Sequence, residues 1–190
     1  MYKRQAHNHI SDINLIYVGQ TLYIPENTTP TYTEYTVKSG DSLGRIAVSY
    51  GLTVAAVASY NSISSPYTIY VNQKLRIPTA GRKNWVKEFQ LAIIASGISS
   101  LPLGGADGEW GSETESAAAR ATVERGTENP MAKFAQQMLL AYGYSLPKFG
   151  ADGEFWEESV TATIQYQQDH GLVADGVIGV VTWKDMLQIN

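Results

Sequence analysis

The chain has 190 residues, 44% of them hydrophobic and 17% charged, with a formal charge of −4 and no cysteine. That length holds more than one small domain. The acidic balance offers no electrostatic footprint for nucleic acid or an anionic membrane surface, the lack of cysteine excludes disulfides and thiolate zinc sites, and apolar runs such as Leu91–Ala95 fall far short of a membrane span, so no membrane insertion is expected.

Residues 1–5, Met-Tyr-Lys-Arg-Gln, do not continue any pattern seen downstream. They read as the translated end of a sequencing-library transposon adapter and are set aside as an artefact; an internal start or a trimmed chain is the alternative. Residues 6–25 end in Leu22-x-Ile24-Pro25. Residues 26–34, rich in Thr and Pro with no apolar period, read as a linker.

Residues 35–78 carry a complete unit. Tyr35-Thr36-Val37 is a short β-type run, and Lys38-Ser39-Gly40-Asp41 breaks it. Asp41 reads as the N-cap of a helix whose stripe is Leu43, Ile46, Ala47 and Tyr50, stopped by Gly51. Thr53 caps a second helix with Val54, Val57 and Ala58 on one face. A polar loop follows Asn61, and Lys74-Leu75-Arg76-Ile77 alternates like a half-buried strand before Pro78 ends it.

Strand, helix, helix, strand with Tyr35-x-Val37, Gly40-Asp41-Ser42-Leu43, Ile46-Ala47, Gly51, Asn61 and Val71-Asn72-Gln73-x-Leu75-x-Ile77-Pro78 resembles a LysM module. Asn72 stands where that family commonly has Gly, and Asn tolerates the left-handed turn. The resemblance implies binding of N-acetylglucosamine-containing polymers, peptidoglycan or chitin, in a groove between two loops. One loop is Gly40, Asp41, Ser42 and Leu43; the other is Ile69, Tyr70 and Val71. For Leu43 and Ile69 a plain core role stays open beside it. Shifted by 53 positions, residues 6–25 overlay the back half of this unit without a gap, Asn8 on Asn61 and Leu22-x-Ile24-Pro25 on Leu75-x-Ile77-Pro78. They are similar to a LysM half-module that lacks its first strand and helix, which implies further sequence upstream.

Residues 79–83 read as a second linker. From Asn84 to 190 the pattern is helical, in two related repeats, 84–128 and 131–190. Val86, Phe89, Gln90, Ile93 and Ile94 form a stripe ended by Gly97. A helix is expected over Ser112–Arg125, closed by Gly126. The turns Asp107-Gly108, Asp152-Gly153 and Asp175-Gly176 are each followed at fixed spacing by an apolar residue and then by Thr114, Ser159 or Thr182. This spacing suits a tight turn, a core plug and a helix start. Residues 131–190 resemble the three-helix peptidoglycan-binding domain of bacterial wall hydrolases, through Gln136, Gly143, Asp152-Gly153, Gln165-x-Gln167, Gly171-Leu172, Asp175-Gly176-x-x-Gly179 and Thr182-Trp183. Residues 84–128 match its first two helices only, so the two copies are expected to pack as one unit. The fold class is α+β multidomain: a βααβ LysM module plus an all-α peptidoglycan-binding-like domain.

No catalytic constellation is legible. His7-Asn8-His9 spells a nuclease-like tripeptide without further ligands at useful spacing. His170 reads as a helix-end residue. Asp107 and Glu109, like Asp152 and Glu154, recur as parts of turns, whereas glycoside cleavage needs carboxylates at a fixed separation. No metal or cofactor is implied. The expected function is non-catalytic wall binding, as the targeting part of a larger hydrolase of bacterial or phage origin, outside the cell at the wall. The alternative is a peptidoglycan hydrolase, endolysin or autolysin, with its activity within these residues.

Overall fold

The computed structural model describes residues 32–99, 101 and 105–189. The segment 1–5, the half-module 6–25 and most of the linker 26–34 lie outside the described residues.

Strand β1 (Tyr32–Thr36) pairs antiparallel with β2 (Lys74–Pro78), Tyr32 opposite Pro78 and Thr36 opposite Lys74. The strand begins inside the span that reads as a linker. β2 offers ladder partners as far as Pro78, and Tyr32 gains packing of its own. Its ring lies 6.3 Å from that of Tyr60 and 5.2 Å from the Arg76 guanidinium. Between the strands run α1 (Leu43–Ser49) and α2 (Val54–Tyr60). Leu75 and Ile77 are fully buried against Leu43, Ile46, Ala47, Leu52, Val54 and Val57. Asn61 closes the unit, accepting from Arg76 N–H at 2.7 Å and donating to Arg76 C=O at 2.7 Å.

The segment 79–83 is a strut. Lys83 N–H donates to Gly51 C=O at 2.7 Å. Gly51 has φ +70°, and a Cβ there would sit 2.1 Å from Lys83 O, so the approach requires glycine.

Beyond it lie α3 (Trp85–Ala95), α4 (Ser112–Ala118), α5 (Pro130–Tyr142), α6 (Glu157–Asp169) and α7 (Val180–Leu187). A two-residue ladder, β3 (Thr127–Glu128) with β4 (Glu154–Phe155), is the strand content of this half among the described residues. Both repeats share one core, in which Trp183 packs on Phe89 and Phe134, with centroids at 5.1 and 5.8 Å. The stripe of α3 is rotated from the expected one: Trp85, Phe89, Ala92 and Ile93 point inward while Ile94 is exposed. Phe89, common to both stripes, stacks on Trp110 at 5.6 Å and meets Trp183 with the rings tilted by 55°.

α4 ends at Ala118, well short of Arg125. Other partners claim the backbone that would continue it. Ala121 C=O accepts from Trp183 Nε1–H at 2.7 Å, and Val123 exchanges both backbone hydrogen bonds with Ile178. Gly126 therefore sits in the loop, with its N–H on Phe155 C=O, and does not close a helix.

The Asp-Gly turns are tied by three buried glutamines. Gln136 Nε2–H donates to Asp152 Oδ1 (2.9 Å), Glu154 C=O (3.0 Å) and Ser159 Oγ (3.0 Å), while its Oε1 accepts from Gly153 N–H (2.8 Å). Gln90 repeats this with Asp107, Glu109, Thr114 and Gly108, and Gln167 with Asp175, Val177, Thr182 and Gly176. Each amide meets most of its hydrogen-bonding capacity inside the core, which is the condition for burying it.

Candidate functional site

The loop before α1 is shaped by Asp41, whose Oδ2 accepts from Tyr35 O–H at 2.8 Å and Lys38 N–H at 2.7 Å. The same bond to Asp41 is the main cause that raises the Tyr35 hydroxyl above its usual range. Because the carboxylate is committed to residues upstream, it does not cap the helix. Ser42 is the N-cap, its Oγ accepting from Arg45 N–H at 3.2 Å. Gly40, at φ +86°, makes the turn.

A cleft of about 380 Å³ opens beside this loop, within the range of roughly 300–1,000 Å³ typical of small-molecule sites. From the LysM half it is lined by Gly40, Ser42, Leu43 and Arg45 on one loop and helix end, and by Pro66 and Tyr67 on the other loop. Of the seven groove residues named from the sequence, Gly40, Ser42 and Leu43 line it; Leu43 is also core, only 3% exposed. Asp41, Ile69, Tyr70 and Val71 do not. Ile69 packs on the LysM core, whereas Tyr70 and Val71 are exposed on the stretch that hydrogen-bonds the end of β1 through Asn72 N–H to Val37 C=O at 2.8 Å. Pro66 and Tyr67 escaped the sequence reading; an aromatic after a proline in a polar loop was the available signal.

The remaining wall comes from Tyr142, Gly143, Tyr144, Asp169 and His170, at the ends of α5 and α6. Two glycines let the halves approach. A Cβ on Gly44 would lie 2.8 Å from Tyr142 O, and one on Gly143 would lie 2.7 Å from Val54 Cγ1. Val48 of α1 is buried in the core of the helical half.

A polar network crosses the same seam. Arg45 Nη2 lies 2.7 Å from Asp185 Oδ2, and Gln188 Nε2–H donates to Arg45 C=O at 2.7 Å. Asp185 Oδ1 also accepts from Tyr166 O–H and from His170 Nδ1. With its Nδ1–H turned to the carboxylate, His170 does not accept from Arg45, which lies 3.1 Å from the same nitrogen. Burial pushes the Asp185 carboxyl up, but the bonds from His170 and Tyr166 and the neighbouring His170 and Arg45 outweigh it and hold it down at about 2. Tyr144 O–H donates to Asp169 Oδ2 at 2.9 Å; burial first, then that bond, raises its hydroxyl well above the usual range. Nothing in the sequence signalled this cluster, since Arg45 and Asp185 are 140 positions apart.

The carboxylates of the repeated turns are occupied by structure. Asp107 and Asp152 accept from the backbone N–H of Glu109 and Glu154, the main cause holding both below the ordinary carboxylate range.

The LysM domain family matches residues 5–25 and 35–78, and the family described as "Putative peptidoglycan binding domain" matches residues 128–186. Over 87 residues the chain is 38% identical to an autolysin of Enterococcus faecalis, covering 37% of this chain and 12% of that protein. It is 39% identical over 75 residues to the probable peptidoglycan endopeptidase LytE of Bacillus subtilis, covering 34% and 22%. Over 81 residues it is 33% identical to the chitin elicitor-binding protein of Oryza sativa, covering 38% and 23%. The chain thus spans less than a quarter of the length of each of these relatives. It carries a LysM domain followed by a peptidoglycan-binding domain, and it resembles the wall-binding part of cell-wall hydrolases.

Proposed function

We propose that this chain binds bacterial cell-wall glycan without cleaving it, and that it is the targeting part of a larger peptidoglycan hydrolase. The observation that carries the reading is the cleft flanked by Gly40, Ser42, Pro66 and Tyr67, set in a LysM fold. Its backbone groups and half-buried aromatic edge suit an N-acetylated sugar, whose acetamido group needs a donor and an acceptor and whose ring needs an apolar face. The autolysin and the endopeptidase are much longer proteins that this chain matches over a minor part, as a targeting segment would. The commitment of Asp107, Asp152 and Asp175 to turn hydrogen bonds favours binding over hydrolysis.

The test is co-sedimentation of the purified chain with insoluble peptidoglycan, run beside a turbidity assay on the same walls. Retention above a control protein with no clearing is the expected result. Absence of retention overturns the binding reading, and clearing of the suspension makes the chain itself the hydrolase.

A further inference from the structure

The cleft is not a property of the LysM half alone. One of its walls is built by residues that reach it from a second domain, and the seam that brings them there is closely fitted. Gly44 and Gly143 leave no room for a Cβ, and Arg45, Asp185 and Gln188 tie the halves by bonds of 2.7 Å. The second wall also has the chemistry for a sugar. Tyr144 is half-buried, so part of its ring faces solvent while its hydroxyl is fixed on Asp169. Asp169 is exposed and takes a further bond from Gln165 Nε2–H at 2.9 Å, which holds the carboxylate in place with lone pairs to spare. Across the cleft the LysM half offers a second tyrosine, Tyr67.

We propose that the peptidoglycan-binding domain completes the LysM groove, with Tyr144 and Asp169 holding the far side of an N-acetylglucosamine-containing saccharide whose near side lies on Gly40, Ser42 and Tyr67. A pyranose presents an apolar C–H face and a rim of hydroxyls. The Tyr144 ring takes the face and the Asp169 carboxylate accepts from the rim. The sugar is thereby read by both domains at once, and the helical domain adds affinity at the LysM site itself. This proposal rests on the reading that the LysM loops bind glycan.

Titration calorimetry of the full chain with the soluble tetramer of N-acetylglucosamine separates the two ideas. Tyr144→Ala and Asp169→Ala are each expected to weaken binding by about tenfold, as is Tyr67→Ala on the opposite wall. Phe149→Ala, which changes an exposed aromatic of the same helical domain away from the cleft, is expected to leave affinity unchanged. Circular dichroism spectra matching wild type keep a loss of binding from being a loss of fold, and Asp169→Asn, which preserves shape, is the second variant at that position. If Tyr67→Ala loses affinity while Tyr144→Ala and both Asp169 variants match wild type, the groove belongs to LysM alone and the proposal falls. If wild type does not bind the tetramer, or Tyr67→Ala binds it as well as wild type, the underlying reading of the loops falls with it.

Discussion

Gln136 shows how much a single buried amide can hold. It is 1% exposed and links a helix, a turn and the start of the next helix through four hydrogen bonds. Replacing it by Leu keeps the volume but leaves the Gly153 N–H, the Asp152 carboxylate and the Ser159 hydroxyl without this partner. The carboxylate can turn to water; the backbone N–H cannot do so without moving the turn. Each buried group left unpaired costs about 1–3 kcal/mol, so Gln136→Leu is expected to lose on the order of 2–4 kcal/mol. Urea unfolding should show the midpoint falling with little change in slope. A loss below about 1 kcal/mol would mean the turn finds other partners easily. The recurrence of Asp-Gly and of Thr114, Ser159 and Thr182 was legible in the sequence, because a turn needs local residue types. That a glutamine 18, 17 or 9 positions away satisfies each turn was not, because the pairing is tertiary.

Among the elements, α1 serves both halves. Leu43, Ile46 and Ala47 face the LysM core, Val48 enters the helical core, and Gly44 lies under Tyr142. The stripe Leu43, Ile46, Ala47 follows from spacing alone, and so did the existence of α1, α2 and β2. The second face of α1 had no signal, since Gly44 and Val48 at these positions match an ordinary module helix. The same limit explains α4. Local pattern extends it to Arg125, but the carbonyl of Ala121 is taken by Trp183 and the strand-like Val123 by Ile178. Gly44→Ala tests the second face of α1. In a helix, Ala is better than Gly by about 1 kcal/mol, so a free module would gain. Here the added Cβ would meet Tyr142 O at 2.8 Å and Cδ1 at 3.1 Å. Overpacking of this kind costs about 1–3 kcal/mol, so the net change is expected to be a loss. Hydrogen exchange should quicken at Tyr144 and Gln188 while the amides of α1 stay protected. A rise in stability instead would show that the seam has slack.

For the molecule as a whole, the seam makes stability depend on acid through one carboxylate. Asp185 faces Arg45, His170 and Tyr166, and its charge also reaches the Tyr142 hydroxyl. Its folded value of about 2 lies below that of a free aspartate, about 3.9, so the folded state favours the ionised form. A depressed acid contributes stability that is complete above the unfolded value and is lost as pH falls towards the folded one. The contribution of Asp185 is therefore present at neutral pH and disappears between about pH 4 and pH 2. Asp185→Asn has no carboxyl to protonate there. Its neutral amide also leaves the Arg45 guanidinium without a counter-charge, so it starts lower at pH 7. Plotted against pH, the unfolding free energy of wild type should fall more steeply than that of the variant across this window, by up to one proton's worth of slope, and the two curves should draw together near pH 2. The packing of Val48 and of Gly44 on Tyr142 does not titrate, so the halves should still unfold in one transition at neutral pH in both proteins. Parallel acid limbs would mean that Asp185 gains nothing from its partners in the folded chain, and that the seam is held by its packing and its uncharged hydrogen bonds, such as that from Gln188 to the Arg45 carbonyl.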